Sequence, residues 1–181
     1  MDAKATDGER IAVFCVGNKL LLDDGLGPAV YEDLKSRFDT PDNVDLFDVG
    51  CLSLDMLSYV DDYDLVITVD AVDGTDDAPG TVYRFSPEDM ARHTGAMASL
   101  HDLKLVDLFD NAALLGYQAE GLCFGMQVEN RSPAQFIVGL TQPVADALPL
   151  LEDAVAAELA RRGFPFIDKQ TGEPYVKGPD A

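Results

Sequence analysis

The side chains most able to do chemistry are carboxylates that follow two predicted strands. Asp23 and Asp24 lie in a glycine-containing loop after the wholly apolar run Ile11–Val16. Asp70 follows a second apolar run, residues 65–69. Ligands of open α/β sheets bind outside the carboxyl ends of the strands, so carboxylates that are distant in sequence can meet at this edge. Paired carboxylates without a basic partner hold a cation or share a proton.

Histidine is scarce, with two residues in the chain. His101 follows a loop and precedes a predicted helix, so its imidazole could join the carboxylates in a set of the kind that borderline metals prefer. His93 lies in a polar, surface-like segment, and Asp73 is the second acid of the later loop. Two adjacent aspartates cannot both cap one helix. One of Asp23 and Asp24 is therefore expected to function, and the other is expected to be structural or solvated.

Several other catalytic signatures are absent from the sequence. There is no Gly-x-Ser-x-Gly nucleophile elbow and no His-Glu-x-x-His pair, which disfavours the corresponding serine hydrolases and zinc proteases. The three cysteines, Cys15, Cys51 and Cys123, lie in or beside apolar runs without Cys-x-x-Cys spacing, so each is predicted to be a small core residue. The loop glycines match neither the dinucleotide fingerprint nor the phosphate-binding Walker pattern.

The amino-acid composition excludes some classes of binding partner. The chain has 181 residues, with 33 acidic and 13 basic residues and a net charge of −20. Such a charge repels nucleic acid and anionic lipid. No apolar run approaches the ~20 residues of a membrane span, and the N-terminal segment lacks the apolar region of a signal peptide. We therefore expect a cytoplasmic protein that neither inserts in a membrane nor binds nucleic acid. We also expect this protein to be a monomer.

The alternation of strands and helices predicts an α/β domain with a mostly parallel sheet. Pro149 should kink or split the last helix. Residues 168–181 are polar with two prolines and two glycines, which predicts a mobile tail beyond a single domain of residues 1–167. Beyond the two runs above, strands are predicted at 44–49, 81–85 (an edge strand) and 122–128, with helices at 28–38, 52–59, 102–115 and from 143 onward.

Four segments in the same order, within residues 11–160, resemble the hydrogenase maturation endopeptidases. The segments are NKLLLDDGLGP (18–28), VDAVDG (69–74) with APG (78–80), SLH (99–101), and FGMQVE (124–129) with GLTQPV (139–144). The resemblance implies a three-layer sandwich, with a sheet of about five strands between two layers of helices. It also implies one activity, a single cut that removes the C-terminal extension of a nickel–iron hydrogenase large-subunit precursor after nickel insertion.

By position, the resemblance places the family's metal-contacting and catalytic trio on Asp24, Asp70 and His101. Two carboxylates and one imidazole form an incomplete shell, so nickel is expected to be supplied by the substrate rather than bound permanently. Two chemistries stay open, an aspartyl type with a carboxylate as general base and a metal-assisted type.

The sequence departs from the family in two places, and one alternative class of function stays open. The tail beyond about residue 167 has no counterpart in the family. The family's usual Gln-Pro-Glu is Gln127-Val128-Glu129 here, without the proline. The alternative function is a receiver-like signalling module or a nucleotide-binding α/β domain, which would also carry acids after its strands. The distance of Asp23 and Asp24 from the first strand disfavours the receiver.

Overall fold

The computed structural model describes residues 8–51, 56–86, 89 and 100–176, with the backbone alone at 100–106. The strands are β1 (Ile11–Val16), β2 (Phe38–Asp39), β3 (Val44–Gly50), β4 (Leu65–Val72), β5 (Val82–Phe85), β6 (Glu120–Gln127) and β7 (Ile167–Asp168). Five of them form one sheet in the order β3-β1-β4-β6-β5. β3, β1, β4 and β6 are parallel, and β5 is antiparallel to β6 at the edge. The predicted α/β fold with a mostly parallel sheet is confirmed.

Helices cover both faces of this sheet. They are α1 (Leu26–Arg37), α2 (Leu57–Val60), α3 (Leu100–Leu114) and α4 (Gln142–Arg161). Strand β1 is buried along its whole length because alternate side chains enter two different cores. Val13 packs with α1 and α4 on one face, and Phe14 packs with α2 and α3 on the other. The result is the predicted three-layer sandwich.

Helix α4 corrects one prediction. Of the kink or split predicted at Pro149, the split does not occur, because the helix continues through Pro149 as a single element of 20 residues. Proline removes one backbone hydrogen bond from a helix interior. The buried face of α4, which includes Val144, Leu151 and Val155, packs against the sheet and offsets that loss. Among the described helices, none is both long and apolar enough to cross a membrane.

The segment after α4 packs on the domain. β7 pairs antiparallel with β2, and the Phe38 and Phe166 rings stack with their centroids 5.5 Å apart. The Tyr175 ring lies 4.7 Å from the Phe38 ring, and its hydroxyl donates to Asp153 Oδ1 at 2.7 Å. These contacts differ from the sequence prediction of a mobile tail at 168–181, of which residues 177–181 lie outside the described part. We propose that the domain extends through residue 176.

Replacing Tyr175 tests this boundary. Tyr175→Ala removes the ring contact with Phe38 and the hydrogen bond to Asp153, so we expect it to lower the free energy of unfolding by about 2 kcal/mol in urea titrations. Val176, which is 68% exposed, supplies the neighbouring control, and Val176→Ala should change stability by less than about 0.5 kcal/mol. Equal, negligible effects of the two changes would restore the boundary at residue 167.

Candidate active site

Two glycines shape the loop that carries the first carboxylates. Gly17 has a φ of +144°, and a Cβ there would collide with the Asp24 carbonyl oxygen. A Cβ on Gly27 would collide with the backbone of Val16. The loop can therefore fold back onto the end of β1 only with glycine at both positions. Neither glycine belongs to a phosphate-binding motif. Both are needed because another backbone segment packs directly against their Cα atoms.

Asp24 and Asp70 are joined by a basic residue, Arg131. Arg131 Nε donates to Asp24 Oδ1 at 2.8 Å, and Arg131 Nη2 lies 3.7 Å from Asp70 Oδ1. All three side chains are largely buried, with 9% of Arg131, 5% of Asp24 and 13% of Asp70 exposed. Asp70 lies within β4 near its carboxyl end rather than after the strand. The two carboxylates thus converge at the predicted sheet edge.

Arg131 corrects the expectation that the carboxylates lack a basic partner. The guanidinium carries a permanent positive charge, and it lies where the two carboxylates approach each other. Asp24 Oδ2 also accepts a hydrogen bond from the Asn18 N–H at 3.1 Å. In the described part of the chain, no group of three His, Cys, Asp or Glu side chains could hold a metal. In this arrangement the described residues do not fit a resident metal ion.

His101, the third predicted residue, is the second residue of α3. Its backbone is described, but its side chain lies outside the described part. Whether the imidazole joins Asp24 and Asp70 therefore stays a prediction. His93 also lies outside the described residues, and Asp73 is exposed.

Asp23 is a structural residue by its hydrogen bonds. It is fully buried, and its Oδ2 accepts from the backbone N–H groups of Glu129 at 3.2 Å and Asn130 at 2.9 Å. Thr141 donates to Asp23 through its backbone N–H at 2.7 Å and its hydroxyl at 2.9 Å. Asp23 thereby fastens the first loop to the segment after β6 and to the start of α4. Of the two adjacent aspartates, Asp24 is the one that faces Asp70 through Arg131.

The departure at Gln127-Val128-Glu129 has a structural counterpart. The Val128 N–H donates to the Val72 carbonyl at 2.9 Å, a bond that proline could not make. Gln127 is buried, and its Oε1 accepts from the Thr75 N–H at 3.1 Å while its Nε2 donates to the Val128 carbonyl. Hydrogen bonding thus fixes this end of β6 and the loop after β4.

Two of the three cysteines are buried, and the third is exposed. Cys15 and Cys123 are buried, as predicted, whereas Cys51 is exposed, so its assignment as a core residue is wrong. Cys51 follows the last residue of β3, where the chain leaves the sheet. Burial raises the pKa of the Cys15 thiol far above its ordinary value, with Asp48 adding to the effect. A thiol with this pKa carries almost no reactive thiolate at neutral pH.

An exposed apolar rim, consisting of Leu20, Phe136, Ile137 and Val138, borders the site. Phe136 is 78% exposed, Val138 73%, and Leu20 and Ile137 44% each. The Leu22 N–H donates to the Ile137 carbonyl at 2.8 Å, and the Ile137 N–H donates to the Leu20 carbonyl at 2.9 Å. The rim is therefore continuous through the backbone with the loop that carries Asp24. Beside it lies a cleft of about 270 Å³ lined by Lys19, Leu20, Pro28, Val138 and Leu140, among others.

Replacing Asp23 tests its structural role. Asp23→Asn keeps the shape of the side chain. Its amide N–H₂ would face hydrogen-bond donors that in the wild type donate to the Asp23 carboxylate. We expect a loss of about 2–4 kcal/mol in the free energy of unfolding. Asp42, an exposed aspartate, is the matched control, and Asp42→Asn should stay within about 0.5 kcal/mol of the wild type. Wild-type stability of Asp23→Asn by urea unfolding would contradict this role.

Comparison with known proteins agrees with the fold and with the sequence pattern. A family described as hydrogenase maturation protease matches residues 28–158. The hydrogenase 2 maturation protease of Escherichia coli (strain K12) is 32% identical over 151 residues, covering 82% of this chain and 90% of the relative. The hydrogenase expression/formation protein HupM of Azotobacter chroococcum mcd 1 is 36% identical over 161 residues, covering 85% and 73%.

A solved structure gives the same result. The hydrogenase maturating endopeptidase HybD from E. coli matches with a TM-score of 0.80 at 28% identity, covering 89% of this chain and 98% of that one. These matches do not favour the alternative of a receiver-like or nucleotide-binding module. The chain belongs to the hydrogenase maturation protease family and is a peptidase.

Proposed function

We propose that this protein is the endopeptidase that removes the C-terminal extension of a nickel-loaded large-subunit precursor of a nickel–iron hydrogenase. The observation that carries the proposal is the convergence of Asp24 and Asp70, 46 positions apart in sequence, on one buried point at the carboxyl edge of the sheet. This edge is where α/β proteins bind their ligands. We further propose a cytoplasmic, monomeric enzyme.

Nickel in this proposal is part of the substrate. Asp24, Asp70 and His101 offer two carboxylates and one imidazole, a weaker ligand set for nickel than the cysteine thiolates of the precursor. The protease therefore contacts a metal that the precursor already holds, and its ligands test whether the metal has been inserted. A metal so placed can polarise a scissile carbonyl.

We assign the proton transfer of hydrolysis to Asp70. Its side chain is more exposed than that of Asp24, 13% against 5%, and its contact with Arg131 is longer, 3.7 Å against 2.8 Å. Asp70 takes a proton from water, and the resulting hydroxide adds to the carbonyl carbon of the scissile bond. The C–N bond then breaks, and the proton passes to the leaving amine. This scheme combines the two chemistries that the sequence left open, since a carboxylate acts as the general base and the nickel of the precursor polarises the carbonyl.

The apolar rim is the surface on which we place the precursor. Its exposed side chains lie on the loop that carries Asp24 and on the segment that is hydrogen-bonded to that loop. Exposed apolar groups of this kind mark protein-binding surfaces. The occupant is an apolar stretch of the large-subunit precursor near its cleavage point.

Substitution of the three predicted residues tests the activity. Asp24→Asn, Asp70→Asn and His101→Ala should each reduce cleavage of nickel-loaded precursor at least about 100-fold, since each removes a ligand or the base. Cleavage is followed by the decrease in size of the large subunit, and circular dichroism confirms folding.

Asp73→Asn is the control for the loop after β4, because Asp73 is an exposed aspartate of the same loop. It should cleave at close to the wild-type rate. Near-normal cleavage by two of the three site variants would rule out the assignment.

The apolar rim has its own test. Phe136→Ser should lower kcat/KM for the precursor about tenfold through KM, as expected for loss of an aromatic anchor. Leu114→Ser is the matched control, since Leu114 is 85% exposed at the end of α3, outside the rim. A similar loss in both variants would indicate a general effect of removing surface apolar groups, and no loss in either would remove the rim from the binding surface.

A further inference from the structure

Arg131 is the one feature of this site that the proposed function does not use. It is the only Lys or Arg between Lys104 and Arg161, yet its side chain is 9% exposed and lies between two carboxylates. A buried cation is costly unless it is paired. The role of Arg131 must therefore be sought in its contacts with Asp24 and Asp70.

The two contacts fall on one edge of the guanidinium. Nε and Nη2 point the same way in the planar fork, and they face Asp24 Oδ1 and Asp70 Oδ1 respectively. An arginine fork usually donates to both oxygens of one carboxylate. Here Nε hydrogen-bonds to Asp24, and Nη2 makes a longer ion-pair contact of 3.7 Å with Asp70. The guanidinium thus fills the position that a divalent cation shared by Asp24 and Asp70 would need.

Further donors hold the carboxylates in this arrangement. Asp24 Oδ2 accepts from Asn18 N–H at 3.1 Å, and Asp70 Oδ1 accepts from Ala71 N–H at 2.7 Å. A free divalent cation entering the site would have to displace the guanidinium or remain close to a positive charge that no accessible pH removes. Both alternatives weaken its binding.

We propose that Arg131 is a specificity-determining counter-cation that closes Asp24 and Asp70 to free divalent cations. The pair then responds only to a metal held in place by the precursor, whose binding energy offsets the movement of the arginine. The exclusion of free cations concerns the isolated protein and does not depend on the proposed function. Only the statement that the precursor delivers the metal rests on the proposed function.

The test is nickel chloride titration of the purified protein without precursor, by calorimetry and by thermal unfolding. The wild type should bind nickel weakly at this site. Arg131→Gln should bind one equivalent at least about tenfold more tightly, and nickel should raise its Tm, because the paired carboxylates lose their competing cation. Arg131→Lys keeps a positive charge without the two-atom edge, and it should bind nickel more weakly than Arg131→Gln.

Two further results make the outcome specific. The added affinity should vanish in the double variant Asp24→Asn/Arg131→Gln, which places the metal at this pair. Equal nickel affinity in the wild type and Arg131→Gln would overturn the proposal. If Arg131→Gln folds only with nickel present, that supports the proposal.

Should Arg131→Gln fail to fold in any condition, the wild-type titration decides. One equivalent bound by the wild type and lost in Asp24→Asn would overturn the proposal, and weak binding unchanged by Asp24→Asn would support it. These titrations contain no precursor, so their result is independent of whether the Asp24 and Asp70 variants fail to cleave.

Discussion

The geometry of the site depends on the buried carboxylate of Asp23. By accepting hydrogen bonds from Glu129 and Asn130, Asp23 fixes the backbone immediately before Arg131. Arg131 is thereby held against Asp24, the neighbour of Asp23, and reaches Asp70 on β4. One fully buried acid thus sets the distance between three segments that are far apart in sequence. We propose that the chemistry belongs to Asp24 and Asp70, and their arrangement follows from Asp23.

Much of this arrangement could be predicted from local sequence. The apolar runs 11–16 and 65–69 predicted buried parallel strands, and the position of Asp24 and Asp70 after or near them predicted a shared edge. Arg131 could not be found in this way, because its partner Asp24 is 107 positions away. Its isolation as the only basic residue between Lys104 and Arg161 was the available signal. The continuity of α4 through Pro149 likewise depends on tertiary packing that periodicity alone does not show.

At the site, a guanidinium of the same chain balances part of the charge of the two carboxylates. Two buried carboxylates are neutralised in part by a guanidinium of the same chain, so a bound ion is not needed to keep them together. Such a pair is suited to an incoming partner that brings its own cation and its own ligands. In the function that we propose, recognition of the metal and recognition of the precursor are one event, and the exposed apolar rim contributes part of the binding energy.

The most direct test of this account compares two forms of one substrate. A single enzyme preparation is mixed with nickel-free and with nickel-loaded large-subunit precursor, and the size of the large subunit is followed with time. The account predicts one cut near the C-terminus of the nickel-loaded form and no cut in the nickel-free form, even with enzyme in excess. Equal cleavage of both forms would contradict it.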